Sequence, residues 1–365
     1  MVRQRLVHGG REGRPEVRIV QAMKSVGPRN VSLISRMTGV PAETVRYKIK
    51  NQFRQLGIRV HAEVDFRRLG LVPHWATLKF RLGYSPERIW NLFDRLHEAG
   101  YLTYYGRMLP QGYYAALLAL PKGADYEEFL RYLAGRRVLS EFSLDEVVSS
   151  RHYSMNPRYF NFDSGRWELD WERLEREEPA RTEARPAKEA GIDTYDLLLV
   201  KELQKDAMQR VADIGSRLGL SGAVLRYHMQ SHVEGLIARY VIRWMKDIES
   251  TRAHSVLFTR LTVRGLKEQH AARAALSKLP FMWAEDILKD GTYISTLCVP
   301  VEEAETTFDY VHRHLPSFDE IEIGFLKPRD AYLYTIPYQM FTAGGWRFDI
   351  DALKRGALSS LGLDR

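Results

Sequence analysis

Two segments of the chain, nearly half its length apart, carry side chains that could act on a partner. In PAETVRYKIKNQFRQLG the positions left outward by Val45, Ile49 and Phe53 hold Thr44, Arg46, Tyr47, Lys48, Lys50, Asn51 and Arg54. Ammonium and guanidinium groups neutralise phosphates, and Arg and Asn read base edges through paired hydrogen bonds, so this face suits double-stranded DNA. In SGAVLRYHMQSHVEGL the corresponding face offers Arg226, Tyr227, His228 and Gln230. His228 and His232 stand four apart, which puts both imidazoles on one side of a helix. With no third ligand nearby in the sequence, they predict no metal site. Cys298, within the apolar TYISTLCVP, reads as a core thiol. No Gly-rich phosphate loop, nucleophile elbow or paired-carboxylate motif stands out, so the residues call for no enzyme activity and no cofactor.

Charge separates the two segments. Residues 1–60 hold 13 Lys plus Arg against 3 Asp plus Glu, or +10, which exceeds the +8 of the whole chain. Residues 195–244 hold 7 against 5, or +2. Phosphate neutralisation supplies most non-specific DNA affinity, so the first segment is expected to be the main reader.

The elements that must position these residues recur. At an offset of 180, Val31, Ile34, Gly39, Arg46 and Tyr47 fall on Val211, Ile214, Gly219, Arg226 and Tyr227. At 179, Gly112, Tyr114, Pro121, Phe162 and Trp167 fall on Gly291, Tyr293, Pro300, Phe341 and Trp346. A fixed register of this kind means a duplicated unit. Each copy opens with three short helices whose apolar residues recur at i, i+3, i+4. A Gly after the second helix and Pro41 or Ser221 before the third mark a helix-turn-helix. The period then changes to give the order βαββαβ, which right-handed crossovers fold into an antiparallel sheet of ferredoxin-like type with both helices on one face.

The expected fold class is therefore α+β, two tandem copies of a winged-type helix-turn-helix followed by a ferredoxin-like domain. The boundaries read 1–62 and 63–171 for the first copy, 172–192 for a charged linker, and 193–244 and 245–365 for the second. Each ferredoxin-like domain ends in an aromatic extension, around Trp167 and Trp346, that either covers its own domain or crosses to the other. The two sheets, each with an uncovered face, are expected to pair as an internal pseudo-dimer, with further self-association left open. One cysteine in 365 residues excludes a disulfide framework, and no run approaches the roughly 18 apolar residues of a membrane span, which predicts a cytoplasmic protein.

Two stretches resemble the Lrp/AsnC, or feast/famine, regulators. YDLLLVKELQKDAMQRVADIGSRLGLSGAVLRYHMQSHVEGLI is similar to that family's opening segment, and RQLGIRVHAEVDFRRLGL to its exit from the recognition helix. The tandem fusion and the aromatic extensions depart from the family's pattern. The resemblance implies a nucleoid-associated transcriptional regulator, non-catalytic, with dimers packed sheet to sheet and a small-molecule effector, often an amino acid, near that interface. Two other readings share the architecture. Siroheme decarboxylases have it, sometimes as a two-repeat fusion in which the helix-turn-helix serves no DNA, and an architectural chromatin protein would bind DNA with little sequence preference.

Overall fold

The computed structural model describes residues 13–178, 191–245, 254–261, 265–315, 321–328, 335–342 and 344–363. Most of the linker expected at 172–192 lies outside the described residues; its first turns belong to a short helix, Trp171–Arg176. The duplication is evident in the element order.

The first three-helix unit comprises α1 (Pro15–Val26), α2 (Val31–Thr38) and α3 (Ala42–Tyr47). Pro15 opens α1, where its missing amide hydrogen costs nothing, and Ile19, Val20 and Met23 form its buried stripe. Asn30 accepts from the Leu33 amide to cap α2, and Gly39 ends that helix in the left-handed region at φ 67°. Beyond α3 the helix widens into a π-helical turn, Lys48–Gln52. The second unit repeats this with α4 (Thr194–Lys205), α5 (Val211–Arg217), α6 (Gly222–His228) and a π-helical turn at Met229–Val233. An Asp193–Asp196 capping box opens α4, satisfying orphan amides from both sides.

From each unit one strand leaves, β1 (Ile58–Val64) and β6 (Ile237–Trp244), and these two pair with each other as an antiparallel ribbon, Val60 opposite Ile242. The first copy then gives β2 (Leu71–Phe80), β3 (Tyr104–Leu109), β4 (Tyr114–Pro121) and β5 (Leu139–His152). The second gives β7 (His254–Leu261), β8 (Met282–Leu288), β9 (Tyr293–Pro300) and β10 (Ile321–Pro328). The two four-stranded sheets join at both edges, β3 to β10 and β5 to β8, into one closed barrel of order β8-β9-β7-β10-β3-β4-β2-β5. Closure removes the unpaired edges that two separate sheets would expose. The halves thus meet edge to edge as well as face to face.

Period-2 alternation gives each strand two environments. Ala76, Leu78, Ala116 and Leu118 pack outward on the helices of the first half, while Trp75, Ala115, Val147, Leu288, Ile294 and Leu326 turn to the opposite face and cluster in the barrel interior. The aromatic extensions cross over. Trp167 packs on Trp244 and Phe281 of the second copy. Trp346 donates from its indole to the Leu69 carbonyl of the first copy, and Tyr101 donates to the Asp349 carbonyl at 3.0 Å. Each half is therefore completed by the other half's tail. No helix among the described residues is long and apolar enough to cross a membrane.

Candidate functional site: a basic cavity in the barrel

The barrel interior opens beneath the β1–β6 ribbon into a cavity of about 420 Å³, within the roughly 300–1,000 Å³ of small-molecule sites. Both halves build it. Tyr104 and Trp283, Leu117 and Thr296, and Val147 and Leu326 all line it, and each pair is related by the 179-residue offset. Trp75 adds a second indole. Against this apolar wall stand Arg67, Arg68, Arg239 and Arg243, with His152, Glu63, Asp65 and Asp286.

Local structure explains where these groups point. Asp65 caps a single 3-10 turn by accepting from the Arg67 amide at 3.0 Å, which turns Arg67 and Arg68 toward the cavity mouth. Arg67 donates to Glu146 at 2.8 Å and to the Val147 carbonyl at 2.7 Å. Arg239 and Arg243 lie on β6, and the Arg243 guanidinium stands 5.0 Å from the centroid of the Trp283 ring. Glu63 accepts from both Arg239 and His152, with its Oε1 2.9 Å from Arg239 Nη2 and 3.1 Å from His152 Nδ1. Burial alone would raise the Glu63 carboxyl, but His152 and Arg239 outweigh it and hold the group at about 2. Asp286 goes the other way: burial raises its carboxyl, against a hydrogen bond from Ser150 and the nearby His152 that lower it. The cavity thus combines fixed positive charge with one buried acid that holds its proton to higher pH than usual.

A smaller pocket adjoins it, lined by His61, Gln204 and Met245 and sharing Glu63, His152 and Arg243. His61 Nδ1 lies 2.8 Å from the Gln204 carbonyl, and burial pushes its imidazole down to about 4. Cys298 is buried, and burial raises its thiol well above the ordinary value.

The residues singled out for DNA contact lie elsewhere, in the two three-helix units. Arg46, Tyr47, Lys50, Asn51 and Arg54 are exposed and Thr44 half-buried. Arg46 pairs with Glu43, and Arg54 donates to Asp206 at 2.9 Å. Arg226, Tyr227 and Gln230 are likewise exposed. Lys48 and His228 are not on the outer face. Three residues beyond the buried Val45 and Leu225, they fall on the inward stripe of their helices. Lys48 there forms an ion pair with Glu16 and donates to Gln52 at 2.9 Å. His228 Nδ1 lies 2.9 Å from Asp196 Oδ1, and His232 Nδ1 2.9 Å from Asp196 Oδ2. Asp196 is the third group that the sequence did not bring to His228 and His232; it reads there only as an acid in the first turn of a helix.

The cavity arginines were also missed, because they come from a loop and a ribbon strand far apart in sequence. Their one sequence signal is Arg239 and Arg243 at i and i+4 on a strand, which places both on one face.

Neither a family model nor a curated sequence matches the chain. Among solved structures, the siroheme decarboxylase NirDL aligns over 96% of this chain and 100% of its own at 9% identity and a TM-score of 0.53. NirDL in co-complex with an iron-uroporphyrin III analogue aligns over 85% and 90% at 10% identity, TM-score 0.47. An AsnC family transcriptional regulator from Agrobacterium tumefaciens covers 37% of this chain and 90% of its own at 14% identity, TM-score 0.32. The first of these shows a shared fold.

That full-length likeness corrects the expectation of an Lrp/AsnC protein, since the duplicated architecture as a whole aligns with a single solved chain over its full length. The expectation of a non-enzymatic transcriptional regulator whose partner is double-stranded DNA is corrected with it. The physical reason is that helix-turn-helix periodicity and local positive charge report a helical unit and its surface. They are silent about the chamber that the two halves enclose, and about the Asp196, His228 and His232 cluster.

Proposed function

We propose that this chain is an enzyme of siroheme decarboxylase type, which binds an iron tetrapyrrole in the barrel cavity and removes carboxylate from its side chains. The observation that carries this reading is the lining of the cavity: two tryptophans and a tyrosine facing four arginines. A macrocycle that is flat, aromatic and ringed with carboxylates asks for such a pairing. Indole faces take the ring, and guanidinium forks take carboxylates through paired charge-assisted hydrogen bonds. The fold shared with a protein named for this activity supports the same reading.

The chemistry needs little beyond holding and protonating. The bond between the side-chain carbon and its carboxylate breaks, carbon dioxide leaves, and the electron pair stays on the carbon, where a proton replaces it. Arg67, Arg68, Arg239 and Arg243 hold the carboxylates that do not react. Asp286, whose carboxyl burial shifts upward, is the favoured proton donor, with His152 beside it. On this reading each half is a helix-turn-helix unit followed by a ferredoxin-like domain, divided at 1–62, 63–171, 193–244 and 245–365 with 172–192 as the linker. The helical units then serve as struts, their ribbon strands β1 and β6 roofing the cavity.

Anaerobic incubation with siroheme, followed by the mass of the recovered tetrapyrrole, tests this. Wild-type protein should remove carbon dioxide, and Asp286→Asn should slow it by about a hundredfold while binding is kept. Recovery of unchanged siroheme from wild-type protein, with no shift in its absorbance on mixing, would overturn the assignment.

A further inference from the structure

We propose that the second three-helix unit holds a divalent transition-metal cation, zinc in the first instance, on Asp196, His228 and His232. The ligand atoms of these three residues lie within 4.8 Å of one another. His228 and His232 project from one side of α6 and its π-helical turn, and Asp196 faces them from the first turn of α4. Two imidazoles at i, i+4 and a carboxylate form a borderline-soft donor set, suited to zinc and its neighbours and not to calcium or magnesium. Asp193 supplies a fourth position. Its Oδ2 lies 3.7 Å from His228 Nδ1, and its carboxylate is half-exposed, so either it or a water completes a tetrahedron.

A second observation points to a cation. At the 180-residue offset, Asp196, His228 and His232 correspond to Glu16, Lys48 and Gln52. In the first unit the Lys48 ammonium sits at this place between the helices, paired with Glu16 and donating to Gln52. One copy therefore fills the site with a side-chain cation. The other keeps the carboxylate, wholly buried, but replaces the lysine and its glutamine partner by two histidines. A buried carboxylate needs positive charge or donors around it, and an external cation supplies in the second copy what Lys48 supplies in the first. Each 2.9 Å N···O contact, made to a different oxygen of Asp196, is within a few tenths of an ångström of the roughly 3.3 Å between two ligands of a tetrahedral zinc with bonds of about 2.0–2.1 Å. Asp196 is fixed for this by its backbone role, its Oδ2 also accepting from the Asp193 amide at 3.0 Å. Bound metal would clip α4 to α6.

None of these residues lines the barrel cavity, so this inference and the decarboxylase reading stand or fall separately. The untagged full-length chain, stripped with a chelator, is titrated with Zn2+ alone by calorimetry and with Co2+ by visible absorption. Wild-type protein should take up one equivalent, show the ligand-field bands of a tetrahedral cobalt site, and melt at a higher temperature with zinc present. His232→Gln should weaken binding roughly tenfold or more, since losing a ligand costs at least as much as losing a group behind one. The triple variant Asp196→Glu, His228→Lys, His232→Gln installs the first copy's own ion pair, so it should fold, bind no zinc, and melt at a temperature that zinc does not change. A wild-type chain that takes up no zinc, or variants that take it up as well as wild type, would overturn the proposal.

Discussion

The two three-helix units share a backbone and differ in what holds it together. Both have a glycine turn in the left-handed region, Gly39 and Gly219, and both have a third helix that widens into a π-helical turn. Yet the polar contact between first and third helix is Glu16 with Lys48 in one unit and Asp196 with two histidines in the other. The packing differs in step. Where the first unit has Ser35 and Val45, the second has Gly215 and Leu225, a smaller residue facing a larger one. The cavity shows the opposite behaviour: it takes residues from both copies and exists only where they meet. Duplication left each helical unit free to settle its own interior, while the chamber stayed a joint product.

The largest expected effect that tests this comparison is at the polar contacts. Glu16→Gln leaves the Lys48 ammonium mostly buried without its counter-charge and should cost about 3 kcal/mol. Asp196→Asn, measured without metal, should cost only about 1 kcal/mol, because a side-chain amide in its place can bond to both imidazoles. Urea unfolding of the full chain, read by hydrogen exchange in α1 and α4, separates the two; equal losses would mean that the clusters do the same job.

A smaller effect tests the packing. A Cβ on Gly215 would stand 2.5 Å from Leu225 Cδ2, so Gly215→Ser should destabilise by about 1 kcal/mol through overpacking. Adding Leu225→Val recreates the first unit's pair and should restore most of the loss, a coupling visible in a double-mutant cycle. Additive losses would show that the size exchange is coincidental.

The last test is a pH dependence at the ribbon. His61 has Val241 both as its register partner and as its counterpart at the 180-residue offset, so only one strand carries the histidine. Burial lowers His61 from 6.5 to about 4. The unfolded chain therefore binds this proton more readily than the folded one. Its stabilising contribution is complete above pH 6.5 and is lost as pH falls toward 4. His61→Gln should flatten the unfolding midpoint across that window, and an unchanged slope would place the dependence elsewhere.

How much of this was legible in the sequence follows from how local each signal is. The 180-residue register, the glycine and proline turn marks and the change from helical to strand period are local, and they gave the element order. Barrel closure was not legible, because Phe325 pairs with Leu109 and Ala284 with His152 across more than a hundred residues, with nothing in either strand to name its neighbour. The same holds for the tails, whose crossing rests on contacts such as Trp346 to Leu69. The cavity was invisible for a related reason. Arg67 and Arg243 acquire a common purpose only when the β1–β6 ribbon is laid over the barrel. The basic first segment, in contrast, is conspicuous in sequence and marks a surface instead of the chamber.

If tetrapyrrole chemistry belongs to the barrel and not to the helical units, one binding measurement tests it most directly. Siroheme is titrated anaerobically into three proteins: wild type, the cavity variant Arg243→Gln, and the variant His228→Lys with His232→Gln. One siroheme per chain is expected for wild type, binding weakened by roughly tenfold or more for Arg243→Gln through loss of a charged hydrogen bond, and unchanged binding for the helical-unit variant. Equal affinity in wild type and Arg243→Gln, with binding lost in the helical-unit variant, would contradict it and move the site out of the barrel.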